Sequence, residues 1–372
     1  MIMVNNPGSW SAIYAPLRHA SWNGLTPTDL VFPFFMFIMG VSTYMSLSKF
    51  DFKFSTAFLK KLIKRTLIIF AIGLAIDWFA NVCYGAFNIS DVTQSFGERL
   101  IQGLVSFDHL RILGVMQRLA LSYCFASLIV VFVPLKYLLK LIVLILIGYF
   151  CMLYYGNGFE LSDTNIIARV DLSLWGADHM YKEYLPDGSL IPFDPEGLLS
   201  TIPCIAQVLI VFLAGDLLKN TSDIHQKVER LLIWGTILFF AGALLSYGCP
   251  INKKIWSPTY VLVTCGLASS FLGLLIWIID INGKKRWSSF FEAFGVNPLF
   301  MYVLGAFLSI LLGSICFQTS EGVISLHGYI YQSILSHIAD PYMASLLFAV
   351  AFIVVNWVIG YILYKKKIYI KI

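Results

Sequence analysis

Long apolar runs, separated by short polar or charged segments, recur along the whole chain. A membrane-crossing helix needs roughly 20 mostly apolar residues. Nine stretches meet that requirement: 28–48, 62–82, 110–132, 135–155, 198–218, 230–248, 258–280, 290–316 and 343–364. The pattern predicts an all-α polytopic membrane protein. Met1–Val4 reads as the last turn of a further span, so the intact core is expected to hold about ten transmembrane helices, the first cut short. The expected organisation is a single transmembrane domain over 1–372, with one long polar segment, 156–197, outside the bilayer.

Composition and charge sharpen this reading. The chain is 58% hydrophobic and 13% charged, whereas a soluble domain is about 25% charged, so an ordinary soluble fold is excluded. Basic residues gather in alternate connections: Lys49 to Arg65, Lys136 and Lys140, Lys219 to Arg230, Lys284 to Arg286, and Lys365 to Lys367. By the positive-inside rule these ends, and the C-terminus with them, are expected to be cytoplasmic. The intervening connections are acidic or nearly neutral and are expected to face outward, His19 among them. The net charge of +5 is accounted for by lysines facing anionic lipid, and calls for no nucleic-acid partner. Seven cysteines show no CxxC pairing, and the histidines show no HxxxH or HExxH spacing, so no metal is expected.

Polar groups inside spans are costly and direct attention to function. Asp29, Gln117, Arg118 and Asn297 are the main cases. Arg111 and Arg118 stand seven apart, which on a continuous helix places them on one face. Such a stripe suits an anionic ligand, or Arg118 pairs with an intramembrane carboxylate such as Asp29 for packing alone. Phe294-Gly295-Val296-Asn297-Pro298 predicts a kink or an unwound turn. Asp194-Pro195-Glu196-Gly197 either caps the following helix or presents carboxylates to a ligand. Asn252-Lys253-Lys254-Ile255-Trp256 is a second outward cluster, whose Trp256 either stacks on a sugar ring or anchors at the interface. The segment Arg18-His19-Ala20-Ser21-Trp22-Asn23-Gly24 sets an imidazole, the side chain that ordinarily exchanges its proton near neutral pH, at the edge of the first complete span. On residues alone His19 is either catalytic or a structural interface histidine.

Five blocks, in this order between matching spans, resolve the choice: HASWNGLTPTDLVFPFFMFIMGVS, RILGVMQRLALSY, DPEGLLSTIP, NKKIWSPTYVL and FGVNPLFMYV. Together they resemble the heparan-α-glucosaminide N-acetyltransferase family of transmembrane acyltransferases, its bacterial relatives in particular. The resemblance implies transfer of an acetyl group from cytoplasmic acetyl-CoA to the amine of a glucosamine-type sugar on the far side of a bacterial inner membrane. It maps the family's catalytic histidine onto His19 and an upstream asparagine onto Asn5. On that reading Arg118, Arg111, Gln117, Asn297, Lys64 and Arg65 are candidate acetyl-CoA contacts. Asp29, Trp22, Asp194, Glu196, Lys253 and Trp256 are candidates for the acceptor side. His19 would act as general base or as acyl carrier. The expected partners are acetyl-CoA, an amino-sugar or oligosaccharide acceptor, the lipid bilayer and, as an option, a second copy of the chain in a homodimer. The rival readings are a transporter of a sugar or small anion, or an acyltransferase acting on another surface glycan.

Overall fold

Apolar residues run unbroken through most of the chain, and with no water to satisfy their backbones such segments close their hydrogen bonds internally as helices. The computed structural model describes residues 1–87, 94–185, 187–320 and 322–370. Its helices are α1 (Val31–Leu47), α2 (Thr56–Ala86), α3 (Phe96–Val105), α4 (Val115–Phe132), α5 (Leu135–Tyr155), α6 (Ile166–Trp175) and α7 (Leu198–Asn220). They are followed by α8 (Ile224–Leu245), α9 (Pro258–Ile276), α10 (Ser288–Gly295), α11 (Pro298–Ser314), α12 (Leu326–Leu335) and α13 (Pro341–Lys365). Among the described residues strands occur in two antiparallel hairpins, β1 (Lys182–Tyr184) with β2 (Leu190–Pro192) and β3 (Cys316–Thr319) with β4 (Gly322–Ser325).

Among the described residues eight helices are long and apolar enough to cross a membrane, and nine if the bent pair α10–α11 counts as one span. The chain is an all-α integral membrane protein. The bend between α10 and α11 is 83° and falls at the expected Asn297-Pro298. Pro298 has no N–H to give and forces the residue before it out of the helical region. Asn297 then holds the C-terminal segment: its Nδ2 donates to the Ile368 carbonyl at 2.8 Å and its Oδ1 accepts from the Ile370 N–H at 2.7 Å.

Contacts sort the chain into two compact units. The larger comprises His19–Gly73 and Arg111–Lys284; the other comprises Met1–Arg18, Leu74–Leu110 and Lys285–Ile372. Hydropathy carries no sign of this division, because both units are built from helices of the same apolar character.

In the larger unit α7 is the most enclosed span and packs on α1, α4, α5, α6 and α9. Its close crossing with α1 depends on two missing side chains. A Cβ on Gly40 would lie 2.8 Å from the Val211 Cβ, and one on Gly215 would lie 2.7 Å from the Tyr44 Cβ. Met36, Tyr44, Val208, Phe212, Trp256 and Tyr260 form the core around that crossing. A smaller cluster of Tyr149, Leu153, Ile167, Phe193 and Ile255 anchors the 156–197 segment.

The span read as 110–132 begins at Val115, so Arg111 precedes the helix and shares no face with Arg118. The Ile112 N–H donates to the His179 carbonyl at 3.2 Å, and the Arg111 guanidinium is drawn to two carboxylates described below.

The α1–α7 crossing makes a testable claim. Gly215→Val is expected to lower stability in detergent by about 1–3 kcal/mol, the usual cost of overpacking, seen as a lower unfolding midpoint. Gly148→Ala on α5, where a new Cβ meets nothing within 4 Å, is expected to leave the midpoint nearly unchanged.

Candidate active site

The larger unit brings His19, Asp29, Lys253, Arg111, Asp194 and Glu196 into one array of charges. It starts with the turn before α1. Pro27–Leu30 is a short 3-10 helix whose capping box couples Thr26 to Asp29. Asp29 Oδ2 accepts from the Ala20 N–H (3.1 Å), the Thr26 N–H (3.1 Å) and the Thr26 hydroxyl (3.0 Å). Its Oδ1 accepts from His19 Nδ1 at 2.6 Å. The Asp29 side chain is 1% exposed and that of His19 42%. A carboxylate has no hydrogen to give, so Nδ1 carries a proton, and in the neutral ring Nε2 keeps the lone pair. From the other side the Tyr260 hydroxyl donates to the Asp29 carbonyl oxygen at 2.6 Å.

A second loop closes over this one. The Gly24 N–H donates to the Ile251 carbonyl at 2.8 Å, with Gly24 at φ +123°, a conformation that favours glycine. Asn252 is fully buried. Its Nδ2 donates to Asn23 Oδ1 (3.1 Å), its Oδ1 accepts from the Ile255 N–H (3.1 Å), and its own N–H donates to Ser257 Oγ (3.0 Å). These bonds bring Lys253 Nζ to 3.1 Å from His19 Nδ1, 3.3 Å from Nε2 and 3.7 Å from Asp29 Oδ1. With Nδ1–H given to Asp29, Nε2 is the nitrogen that can accept from the ammonium. Burial pulls the Lys253 amine below the usual lysine range, against the opposing pull of Glu196 and Asp29.

Glu196 belongs to the third piece. Arg111 donates to Asp194 through Nε (2.9 Å) and Nη2 (2.6 Å), and to Glu196 through Nη2 (2.7 Å). Burial works to raise the Glu196 carboxyl, but Arg111, Arg118 and Lys253 outweigh it and hold it below the usual range. Asp194 also accepts from the backbone N–H groups of Tyr181 (3.2 Å) and Glu196 (2.9 Å). The acids do not cap α7. Its first N–H, on Leu198, donates instead to Asp171 Oδ1 at 2.9 Å, while Asp194 and Glu196 serve Arg111.

The remaining expected residues fall into clear places. Arg118 is fully buried, its guanidinium 5.0 Å from the Trp256 ring centroid and its Nη2 bonded to the Pro195 carbonyl and Ser200 Oγ. It pins the 195–200 turn. Trp256 is itself fully buried, donates Nε1–H to Gln207 Oε1 at 2.8 Å, and packs edge-on against Phe32 and Tyr260. No ring face is left for a sugar, so stacking on an acceptor is not its place here. Trp22 donates to the Phe159 carbonyl at 2.7 Å and packs on Phe193. Gln117 is buried beside Gly73, and its Nε2 has no partner. Lys64 is exposed and Arg65 lies 4.9 Å from the Tyr123 ring centroid.

Asn5 and Asn297 lie in the other unit. Asn297 is committed to the backbone bonds described above. Asn5 lines a cavity of about 280 Å3 within that unit, together with Asn6, Asp77, Tyr302 and Ser309. Among the described residues no group of three or more His, Cys, Asp or Glu side chains converges as a metal site.

Asp171, Asn252 and Tyr260 were not singled out by sequence. Asp171 is one acid among many in an acidic segment, and only the fold shows it buried with Oδ2 unpartnered against Gly197. Burial raises its carboxyl to about 6, more than the Leu198 N–H and Arg118 lower it.

Fold and site define an α-helical integral membrane protein that carries, at one end of a span, an imidazole oriented by a buried carboxylate. Over its whole length the chain is similar to heparan-alpha-glucosaminide N-acetyltransferase of Homo sapiens, 27% identical across an alignment of 431 residues that covers 100% of this chain and 58% of the human protein. The Mus musculus enzyme of the same name is also 27% identical, over 426 residues and 58% of its length. The family resemblance carried by the five sequence blocks therefore extends along the entire chain, which spans about three-fifths of the length of these curated relatives. No family model matches the chain.

Two outcomes are expected from this geometry. Arg111→Ala leaves Asp194 and Glu196 facing each other without their cation, and is expected to cost about 2–4 kcal/mol, read as a lower unfolding midpoint and faster proteolysis near residue 195. Asp171 titrates higher folded than unfolded, so its contribution is fully present below about pH 4 and is lost as pH rises through about 6. Wild-type protein is expected to lose about 2–3 kcal/mol more across that window than Asp171→Asn, by denaturant titration at each pH.

Proposed function

We propose that this chain is a transmembrane acyltransferase that moves an acetyl group from acetyl-CoA to the amine of a glucosamine-type sugar, with His19 as general base. The carrying observation is the 2.6 Å bond from His19 Nδ1 to the buried Asp29. It fixes the tautomer, leaves Nε2 as the basic atom, and stabilises the imidazolium that forms when Nε2 takes a proton. The whole-length similarity to two N-acetyltransferases supports the same reading.

An amine cannot attack a thioester while protonated. Nε2 of His19 removes the proton, and the amine nitrogen bonds to the thioester carbonyl carbon. The carbonyl oxygen takes up negative charge, which a hydrogen-bond donor beside it would stabilise. The C–S bond then breaks, the leaving thiolate takes the proton back from the imidazolium, and the second proton lost from the nitrogen passes to solvent. Direct attack needs only that the thioester be delivered beside His19. An acetyl-imidazole on Nε2 would need a second transfer from the same atom.

The acceptor side is formed by Glu196 and Lys253, each of which feels the charge of the other. Lys64 and Arg65 suit the phosphates of CoA at the cytoplasmic end. The unpartnered amide of Gln117 suits a carbonyl of the pantetheine arm, since a buried donor without an acceptor is costly. The alternation of basic and acidic connections supports a cytoplasmic C-terminus and His19 on the far side, in a bacterial inner membrane.

The test is release of free CoA by purified protein given acetyl-CoA and glucosamine. His19→Ala is expected to reduce that rate by on the order of 10²–10⁴-fold, the usual contribution of a general base. Acetyl-CoA left intact by the wild-type protein with glucosamine and with other surface amino sugars would favour a transporter.

A further inference from the structure

If an amine acceptor is to give its proton to His19 Nε2, its nitrogen must sit within hydrogen-bond reach of that atom. One amine already does: Lys253 Nζ, at 3.3 Å from Nε2. It is held there by the chain itself, through the Asn252–Asn23 and Asn252–Ser257 bonds that fix the Lys253 turn, and it is 21% exposed. Its neighbour Lys254 is equally covered, at 20%, but forms an ion pair with Glu183 at 3.0 Å. The two adjacent lysines thus differ in one respect that matters: only Lys253 faces a base.

We infer that Lys253 is an internal acetyl acceptor, a self-modification site whose amine stands where the amine of the sugar must come. The inference rests on the acetyl-transfer reading of the site. In the absence of acceptor, His19 Nε2 takes a proton from the Lys253 ammonium, and Nζ attacks the thioester carbonyl carbon of acetyl-CoA. A C–N bond forms, the C–S bond breaks, and CoA leaves as the thiol after recovering the proton from the imidazolium. The second amine proton passes to solvent and the product is Nε-acetyl-lysine. Burial, which weakens the hold of Lys253 on its proton, favours this step. Acetylation removes the positive charge between Asp29 and Glu196 and leaves a neutral amide in the acceptor's position. The site would then be blocked until the side chain moves aside, so a shortage of sugar amine would silence the enzyme.

The experiment uses the full chain in detergent with acetyl-CoA and no sugar, followed by proteolysis and mass spectrometry. The expected result is one acetyl group on Lys253 that survives hydroxylamine, which strips acyl-imidazoles and thioesters. Lys254 and the exposed Lys182 remain unlabelled, glucosamine suppresses the label, and His19→Ala or, as a second variant, His19→Gln reduces it at least about tenfold. Labelling of Lys182 or Lys254 equal to that of Lys253 means uncatalysed chemistry and overturns the inference. Unlabelled Lys253 in a preparation that still acetylates glucosamine overturns it while the proposed function stands. Transfer to no amine at all removes the proposed function and the inference together.

Discussion

The buried carboxylate of Asp29 is the constraint on which the site depends. Taking a carboxylate out of water costs several kcal/mol unless hydrogen bonds replace its hydration. Asp29 accepts four: from His19 Nδ1, the Ala20 N–H, the Thr26 N–H and the Thr26 hydroxyl. The first orients an imidazole, and the other three fold the chain from Ala20 to Thr26 back onto the start of α1. Loop and base are therefore set by the two oxygens of one carboxylate.

Around that anchor, two of the cations expected to meet ligands, Arg111 and Arg118, make structural bonds. Arg118 joins the 195–200 turn to Trp256, and Arg111 gathers Asp194 and Glu196. The turn entering α7 is thereby fixed, and α7 in turn packs against α1, which follows directly on the turn that carries Asp29. Buried guanidiniums with such partners are poor candidates for direct phosphate contact, because a ligand would have to break bonds already made. The charges left facing an accessible imidazole are few. Lys253 is the nearest of them, its amine 3.3 Å from Nε2.

Much of the fold was legible because lipid makes strong demands on sequence. Unbroken apolar runs predicted the spans, and Pro298 after Asn297 predicted the sharp bend. His19 and Asp29 both drew attention, one as an imidazole at a span's edge and the other as an intramembrane acid. Their pairing was not evident, because a ten-residue separation through a glycine-bearing loop has no fixed geometry. Arg111 was misplaced for a related reason: Leu110–Gly114 is as apolar as a helix start, but its backbone is held out of the helix by the bond from the Ile112 N–H to the His179 carbonyl. Trp256 read as either a sugar-stacking ring or an interfacial anchor in its loop, yet with φ at +51° it turns into the core. Asp171 carried no signal, since burial is what distinguishes it from its acidic neighbours.

The central claim is that Asp29 holds His19 in the tautomer and orientation that make Nε2 a base. The direct measurement is steady-state acetyl transfer to glucosamine by Asp29→Asn, which keeps the shape of the side chain but removes the charge that fixes the Nδ1 proton. The expected result is a fall in kcat on the order of 10²–10⁴-fold, with KM for glucosamine little changed and the unfolding midpoint still measurable as a single transition. A folded Asp29→Asn protein with wild-type kcat would contradict it.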